Sequence, residues 1–102
     1  MPSLTVLYTK PADDPEGFVA EYKADHVPIA ARFPNMASHS VTVFTGTPRR
    51  TEPAYHLMFH AEWDSAEDMQ AAMGDESMME ASKHAMGMTQ KYGNSAEMMI
   101  GE

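Results

Sequence analysis

A chain of 102 residues with a formal charge of −8 and a pI near 4.9 is the size of one domain, expected to span residues 1–102 and to bury about 60–65% of its unfolded surface. The acidic balance argues against nucleic acid or an anionic membrane as partner, and the lack of cysteine excludes disulfides, thiolate metal sites and a thiol nucleophile. No apolar run reaches membrane-spanning length and the N-terminus lacks a basic-then-apolar pattern, so the expectation is a soluble cytoplasmic protein.

Leu4 to Thr9 is rich in β-formers, with Leu4, Val6 and Tyr8 alternating against Thr5, Leu7 and Thr9, and reads as the first strand. Lys10-Pro11 stops it. Asp13-Asp14-Pro15 then opens a helix, with an aspartate cap and a proline in the first turn. The helix is expected to run from Pro15 to Phe33. Winding it at about 3.6 residues per turn puts Phe18, Tyr22, His26, Ile29 and Phe33 on one arc. His26 is the unusual member of that core-facing stripe. Pro28 removes a backbone donor two residues later, and Val27 before it is expected to leave helical dihedrals, so a break is predicted there. A titratable ring on a buried stripe beside a break marks either a functional site or a hydrogen-bonded core histidine.

His39 to Thr45 is the second predicted strand. The Gly46–Pro53 segment is too long for a tight turn and reads as a protruding loop carrying Arg49-Arg50. Tyr55 to Trp63 is the cleanest alternation in the chain. Tyr55, Leu57, Phe59, Ala61 and Trp63 share one side, while His56, Met58, His60 and Glu62 share the other. Ser65 and Asp68 resemble a capping box for a helix carrying Met69, Ala72 and Met73 and closed by Gly74. Ser77 and Glu80 form a second box, for a short helix through Met86 closed by Gly87. Ser95 to Ile100 is the last predicted strand.

The resulting order, β-α-β-β-α-β, predicts an α+β, ferredoxin-like fold: a four-stranded antiparallel sheet with helices on one face. The other face would carry His56, Met58, His60 and Glu62 beside Val41 and Val43 or Phe44. It is too apolar to stay wet and too mixed to be buried dry. A two-fold homodimer pairing two such faces resolves the conflict. His56 and His60 are not expected to share a metal, because their spacing on a strand separates them by about 13 Å, far beyond the reach of one zinc with its ligands at about 2.0–2.1 Å. Gly-rich phosphate loops, a nucleophile elbow and a dinucleotide fingerprint are all missing, so no cofactor is expected. The 11 methionines imply a softly packed core, since the flexible thioether fills irregular gaps.

With the opening strand ending in Leu7-Tyr8, the Tyr22, His26, Pro28 signature, His60 running into Trp63-Asp64-Ser65 and the Met-rich helical region before the last strand, the sequence resembles the EthD family. The resemblance implies a ferredoxin-like subunit pairing into a dimeric α+β barrel. The family's founding member is associated with ethyl tert-butyl ether degradation. Related groups include muconolactone isomerases, cofactor-free monooxygenases and polyketide cyclases. Some EthD-like isomerases are ascribed a mechanism in which the helix histidine acts with a cysteine, and this chain has no cysteine to supply.

Three functional readings follow. One is a cofactor-free isomerase, cyclase or lyase acting on a small cyclic or aromatic carbonyl compound, with His26 as acid/base and Tyr22 orienting the ring or a substrate oxygen. Another is a non-catalytic carrier or accessory protein of an oxidative catabolic pathway. An oxidoreductase of the wider group is a third. In each, a small apolar or aromatic ligand is expected between the first helix and the sheet, bounded by Tyr22, His26 and Trp63. Phe18, Ile29, Phe33, Phe59, Met69 and Met73 would complete its walls.

Overall fold

A computed structural model describes residues 1–102. The elements run β1 (Ser3–Tyr8), α1 (Pro15–Glu21), a π-helical turn (Tyr22–His26), α2 (Val27–Ala30), β2 (Met36–Val43), β3 (Leu57–Trp63), α3 (Ala66–Met73), α4 (Glu76–Tyr92) and β4 (Ala96–Gly101). The sheet order is β2-β3-β1-β4 with every neighbouring pair antiparallel. That is the ferredoxin-like arrangement.

The strand alternation decides which side the helices cover. Leu4, Val6 and Tyr8 on β1 and Leu57, Phe59, Ala61 and Trp63 on β3 are all buried. The register pairs Val6 with Phe59 on one side and with Met98 on the other, so these residues share the helix-facing side. Burying a large apolar side chain is worth about 1.5–3 kcal/mol, and that row anchors the sheet to Phe18, Tyr22, Met69 and Met88 above it. Trp63 has no exposed surface, so its indole N–H needs an acceptor; it donates to the Pro34 carbonyl at 2.9 Å, tying the α2–β2 connection to the end of β3.

Several boundaries differ from the sequence expectation. Val27 keeps helical dihedrals (φ −57°, ψ −40°), and its N–H donates to the Tyr22 carbonyl, five residues back. Pro28 therefore does not break the helix: the turn before it is widened by one residue, a π-turn of the kind common at functional sites. The helical run ends at Ala30, not Phe33. β2 begins at Met36, three residues earlier than expected, and carries a bulge between Met36 and Ser38.

The last helix is the largest correction. It is capped by Asp75, whose carboxylate accepts from the Ser77 amide and hydroxyl, and not by Ser77. It then runs through Gly87 to Tyr92 and stops at Gly93, whose φ of 69° is the left-handed conformation that glycine adopts without strain. Gly87 is tolerated because Met78, Ala81, Met88 and Tyr92 hold one face of the helix in the core.

The outer sheet face is also reassigned. Thr42 pairs with Met58 and Ser40 with His60, so Ser40 and Thr42 stand on that face, while Val41 and Val43 turn to the helix side. No helix of the protein is long and apolar enough to cross a membrane.

Candidate functional site

A cavity of about 370 Å³ lies between α4 and the sheet, lined by 15 residues of which 11 are hydrophobic, a proportion that makes it an apolar pocket. Its floor is Val6 and Tyr8 on β1, Phe59 on β3, and Ala96 and Met98 on β4. α2 and its exit supply Ala30 and Phe33, and α4 contributes Met78, Ala81, Ala85 and Met86. The space exists because small residues stand where the layers meet: Ala30, Ala81, Ala85 and Ala96. Phe18 and Tyr22 pack against Tyr8, and Trp63 is buried at the opposite end of β3 from Leu57; none of the three lines the cavity. Met86 and Met98, each more than half exposed, form the mouth. Phe33 and Phe59 meet edge to face inside, with centroids 6.2 Å apart.

The remaining lining residues, Ser82, Thr89, Asn94 and Ser95, are polar and uncharged. Three of them sit around the C-terminal end of α4. Thr89 Oγ1 donates to the Met86 carbonyl at 3.0 Å. The Asn94 side-chain amide donates to the Thr9 carbonyl at 2.9 Å, which leaves Asn94 Oδ1 facing away from that contact, buried and without a partner.

His26 lies one helical turn before Ala30 and is 5% exposed. Its Nδ1 meets Nδ1 of His84, on α4, at 3.0 Å, so one ring donates and the other accepts. The two rings stack with centroids 5.2 Å apart. Burial, and then the charge His84 can carry, hold the His26 pKa down to about 4, so the ring is neutral near pH 7. No protein group hydrogen-bonds its Nε2. Tyr22 lies tilted against His26, with ring centroids 4.6 Å apart, and meets Tyr8 edge to face at 5.1 Å. The Tyr22 hydroxyl is buried without a hydrogen-bond partner, and burial, with Tyr8 beside it, drives its pKa far up. Tyr8, whose pKa burial also raises, thus joins the cavity to the Tyr22–His26–His84 row.

Of the residues expected at a site, Phe33 and Phe59 line the cavity. His26 and Tyr22 adjoin each other behind Tyr8, with Phe18 packed against Tyr22. Ile29 packs at the edge of the core, and Trp63, Met69 and Met73 lie toward the α3 end, outside the cavity. His60 stands on the outer sheet face, its Nδ1 3.0 Å from Thr5 Oγ1. The sequence reading missed His84, which lies 58 residues from its partner, and the α4 wall. The available signal for that wall was Ala81 and Ala85, small residues four apart on an apolar stripe.

Comparison with known proteins places these features in context. No family model matches the chain, and no curated protein does either. Among solved structures, an EthD family protein from Bacillus halodurans C-125 superposes with a TM-score of 0.87 at 30% identity, covering 100% of this chain and 97% of that one. An EthD-like protein from Ralstonia eutropha JMP134 gives 0.67 at 24% identity, over 99% and 89% of the two chains. A dimeric ferredoxin-like protein of unknown function from Bacteroides fragilis NCTC 9343 gives 0.66 at 14% identity, over 99% and 94%.

Proposed function

The chain belongs to the EthD family, and from that membership we propose that it binds a small, largely apolar or aromatic molecule in the cavity between α4 and the sheet. The observation that carries this reading is the cavity itself. Small-molecule sites are concave and mostly apolar, and here about 370 Å³ is left open between α4 and the sheet, lined by Ala30, Ala81, Ala85 and Ala96 beside aromatic rings and opening at Met86 and Met98. A ligand in that space restores the dispersion contacts its walls lack.

The working unit in this reading is a homodimer with its outer sheet faces paired. Leu7 and Met58 sit there half-buried beside Thr5, His60 and the exposed Met99, a face that one chain leaves uncovered. The dimeric state of the similar Bacteroides fragilis protein supports the pairing. Closing such faces across a two-fold axis is the ordinary solution for a self-complementary surface.

Binding without chemistry, the carrier role, comes first because no group that titrates near neutral pH lines the cavity. The His26–His84 pair favours a second reading, a cofactor-free isomerase, cyclase or lyase. A neutral imidazole with a free Nε2, one helical turn from the cavity wall, is suited to acid/base work once a substrate reaches it. In that reading His26 moves the proton and Tyr22 orients it.

Native mass spectrometry of freshly purified protein tests the proposal. The wild type should retain, or take up on addition of naphthalene, one apolar molecule per chain, and Ala85→Phe, which fills the cavity, should not. A wild type that neither retains nor takes up such a molecule overturns it. His26→Ala separates the roles: uptake persists in both, and turnover of a retained substrate disappears only if His26 is catalytic.

A further inference from the structure

The two side chains at the mouth of the cavity combine exposure with an oxidisable sulfur. Met86 on α4 and Met98 on β4 line the cavity and are 62% and 55% exposed, whereas Met78, also on α4 and also in the lining, is 8% exposed. We propose that Met86 and Met98 are sites of oxidation by peroxides, and that their conversion to sulfoxides weakens binding in the cavity. Oxidant then controls the occupancy of the site. This step rests on the cavity being a ligand site.

Nothing in the chain competes for the oxidant with a more reactive sulfur. There is no cysteine, so no thiol intercepts a peroxide, and oxidation falls on the thioethers in order of their access. Five of the 11 methionines are exposed: Met1, Met79, Met86, Met98 and Met99. Of these five, only Met86 and Met98 line the cavity. The proposed homodimer leaves both accessible. Met98 pairs in register with Val6 and stands with it on the helix side of the sheet, while that dimer covers the opposite face, where Met99 pairs with Thr5. Met86 belongs to the helix layer itself.

The reaction needs only a peroxide, hydrogen peroxide or an organic hydroperoxide. A lone pair of the sulfur attacks one peroxide oxygen, the S–O bond forms as the O–O bond breaks, and the departing oxygen takes a proton to leave as water or an alcohol. The sulfur loses two electrons and the peroxide gains them. A methionine sulfoxide reductase reverses the change.

The product alters the rim. A flexible apolar thioether becomes a polar sulfoxide. An aromatic ligand seated there loses the favourable sulfur–ring contacts and displaces water from an oxygen that apolar neighbours cannot rebond. The buried Met78 and Met88 keep their thioethers, so the core that carries α4 is preserved.

The test treats the purified full chain with graded hydrogen peroxide at pH 7, maps the sulfoxides by peptide mass spectrometry and titrates the product with naphthalene. Met86 and Met98 should gain oxygen well before Met78 and Met88. Naphthalene should then bind at least about threefold more weakly, the effect of losing two thioether–ring contacts. In the wild type the loss should follow the sulfoxide content of those two positions, and methionine sulfoxide reductases should restore the affinity. Each variant is compared with its own untreated form. Peroxide should leave the Met86→Leu, Met98→Leu double variant unchanged and weaken Met79→Leu, Met99→Leu as it weakens the wild type. Where the first double variant binds too weakly to measure, the wild-type correlation decides. If oxidation of Met86 and Met98 leaves the affinity unchanged, if Met78 and Met88 react as fast, or if the loss follows other positions, the inference falls while ligand binding stands. If the untreated protein takes up no naphthalene, the inference and the proposed function fall together.

Discussion

A histidine buried neutral makes stability depend on pH in a direction that can be worked out. The unfolded His26 has a pKa near the ordinary 6.5 and the folded ring one of about 4, depressed first by burial and then by His84. Below pH 6.5 the unfolded state therefore takes up a proton that the folded state refuses. The stability associated with His26 is fully present above about pH 6.5 and is lost as the pH falls toward 4. Each pH unit across that window removes about 1.4 kcal/mol, so the whole window costs at most about 3.5 kcal/mol, a large share of the 5–15 kcal/mol that holds a typical domain folded. The 15 acidic residues titrate partly in the same range, so the measurement is a difference. Urea unfolding of wild type and His26→Leu is followed from pH 7.5 to 4.5 at one fixed protein concentration. Wild type should lose about 2–3 kcal/mol more than the variant over that span. With an m-value of about 1–3 kcal/mol per molar urea, that is a relative midpoint shift on the order of 1–2 M. Parallel pH profiles would refute the reasoning. They would mean that native His26 takes up the proton and shares it with His84 across their 3.0 Å contact.

Other outcomes follow from single contacts. Tyr22→Phe removes a buried hydroxyl that has no partner; relieving about 1 kcal/mol of desolvation should raise Tm by about 4–8 °C, and a lowered Tm in calorimetry would mean the hydroxyl is bonded in solution. Met58→Glu, on the outer sheet face, should shift sedimentation velocity toward monomer at micromolar concentration, whereas Arg49→Glu in the exposed loop should not; equal effects would remove that face from the interface. Gly93→Ala puts a Cβ at φ 69°, 3.1 Å from the Ala12 methyl, and should cost about 1–2 kcal/mol in urea unfolding, with no loss counting against the helix stop assigned there.

The alternation from Leu57 to Trp63 made β3, its faces and the ferredoxin-like order legible, because a period of two is visible without tertiary information. Ser65 as a cap and Gly74 as a stop were equally local and equally readable. Gly87 misled because a glycine on an exposed helix face costs only about 1 kcal/mol, less than the packing of Met88 and Tyr92 beyond it returns. Pro28 misled in a different way: a wide turn accommodates its missing donor as well as a break does. Ending the last helix at Met86 left out Thr89 and Met88, which extend the α4 wall beyond Ala85. The His26–His84 contact joins residues on separate helices, and no local pattern announces it.

The methionines provide the most direct test of the central claim, because they mark both ends of the helix–sheet layer. Met78, Met86 and Met98 line the cavity, while Met69 and Met73 lie toward α3. With the methionine methyl groups labelled with carbon-13, naphthalene titrated into the protein should move the methyl resonances of Met78, Met86 and Met98 in a saturable way and leave Met69 and Met73 in place. Saturable shifts at Met69 and Met73 instead, or none at the three cavity methionines, would contradict the account.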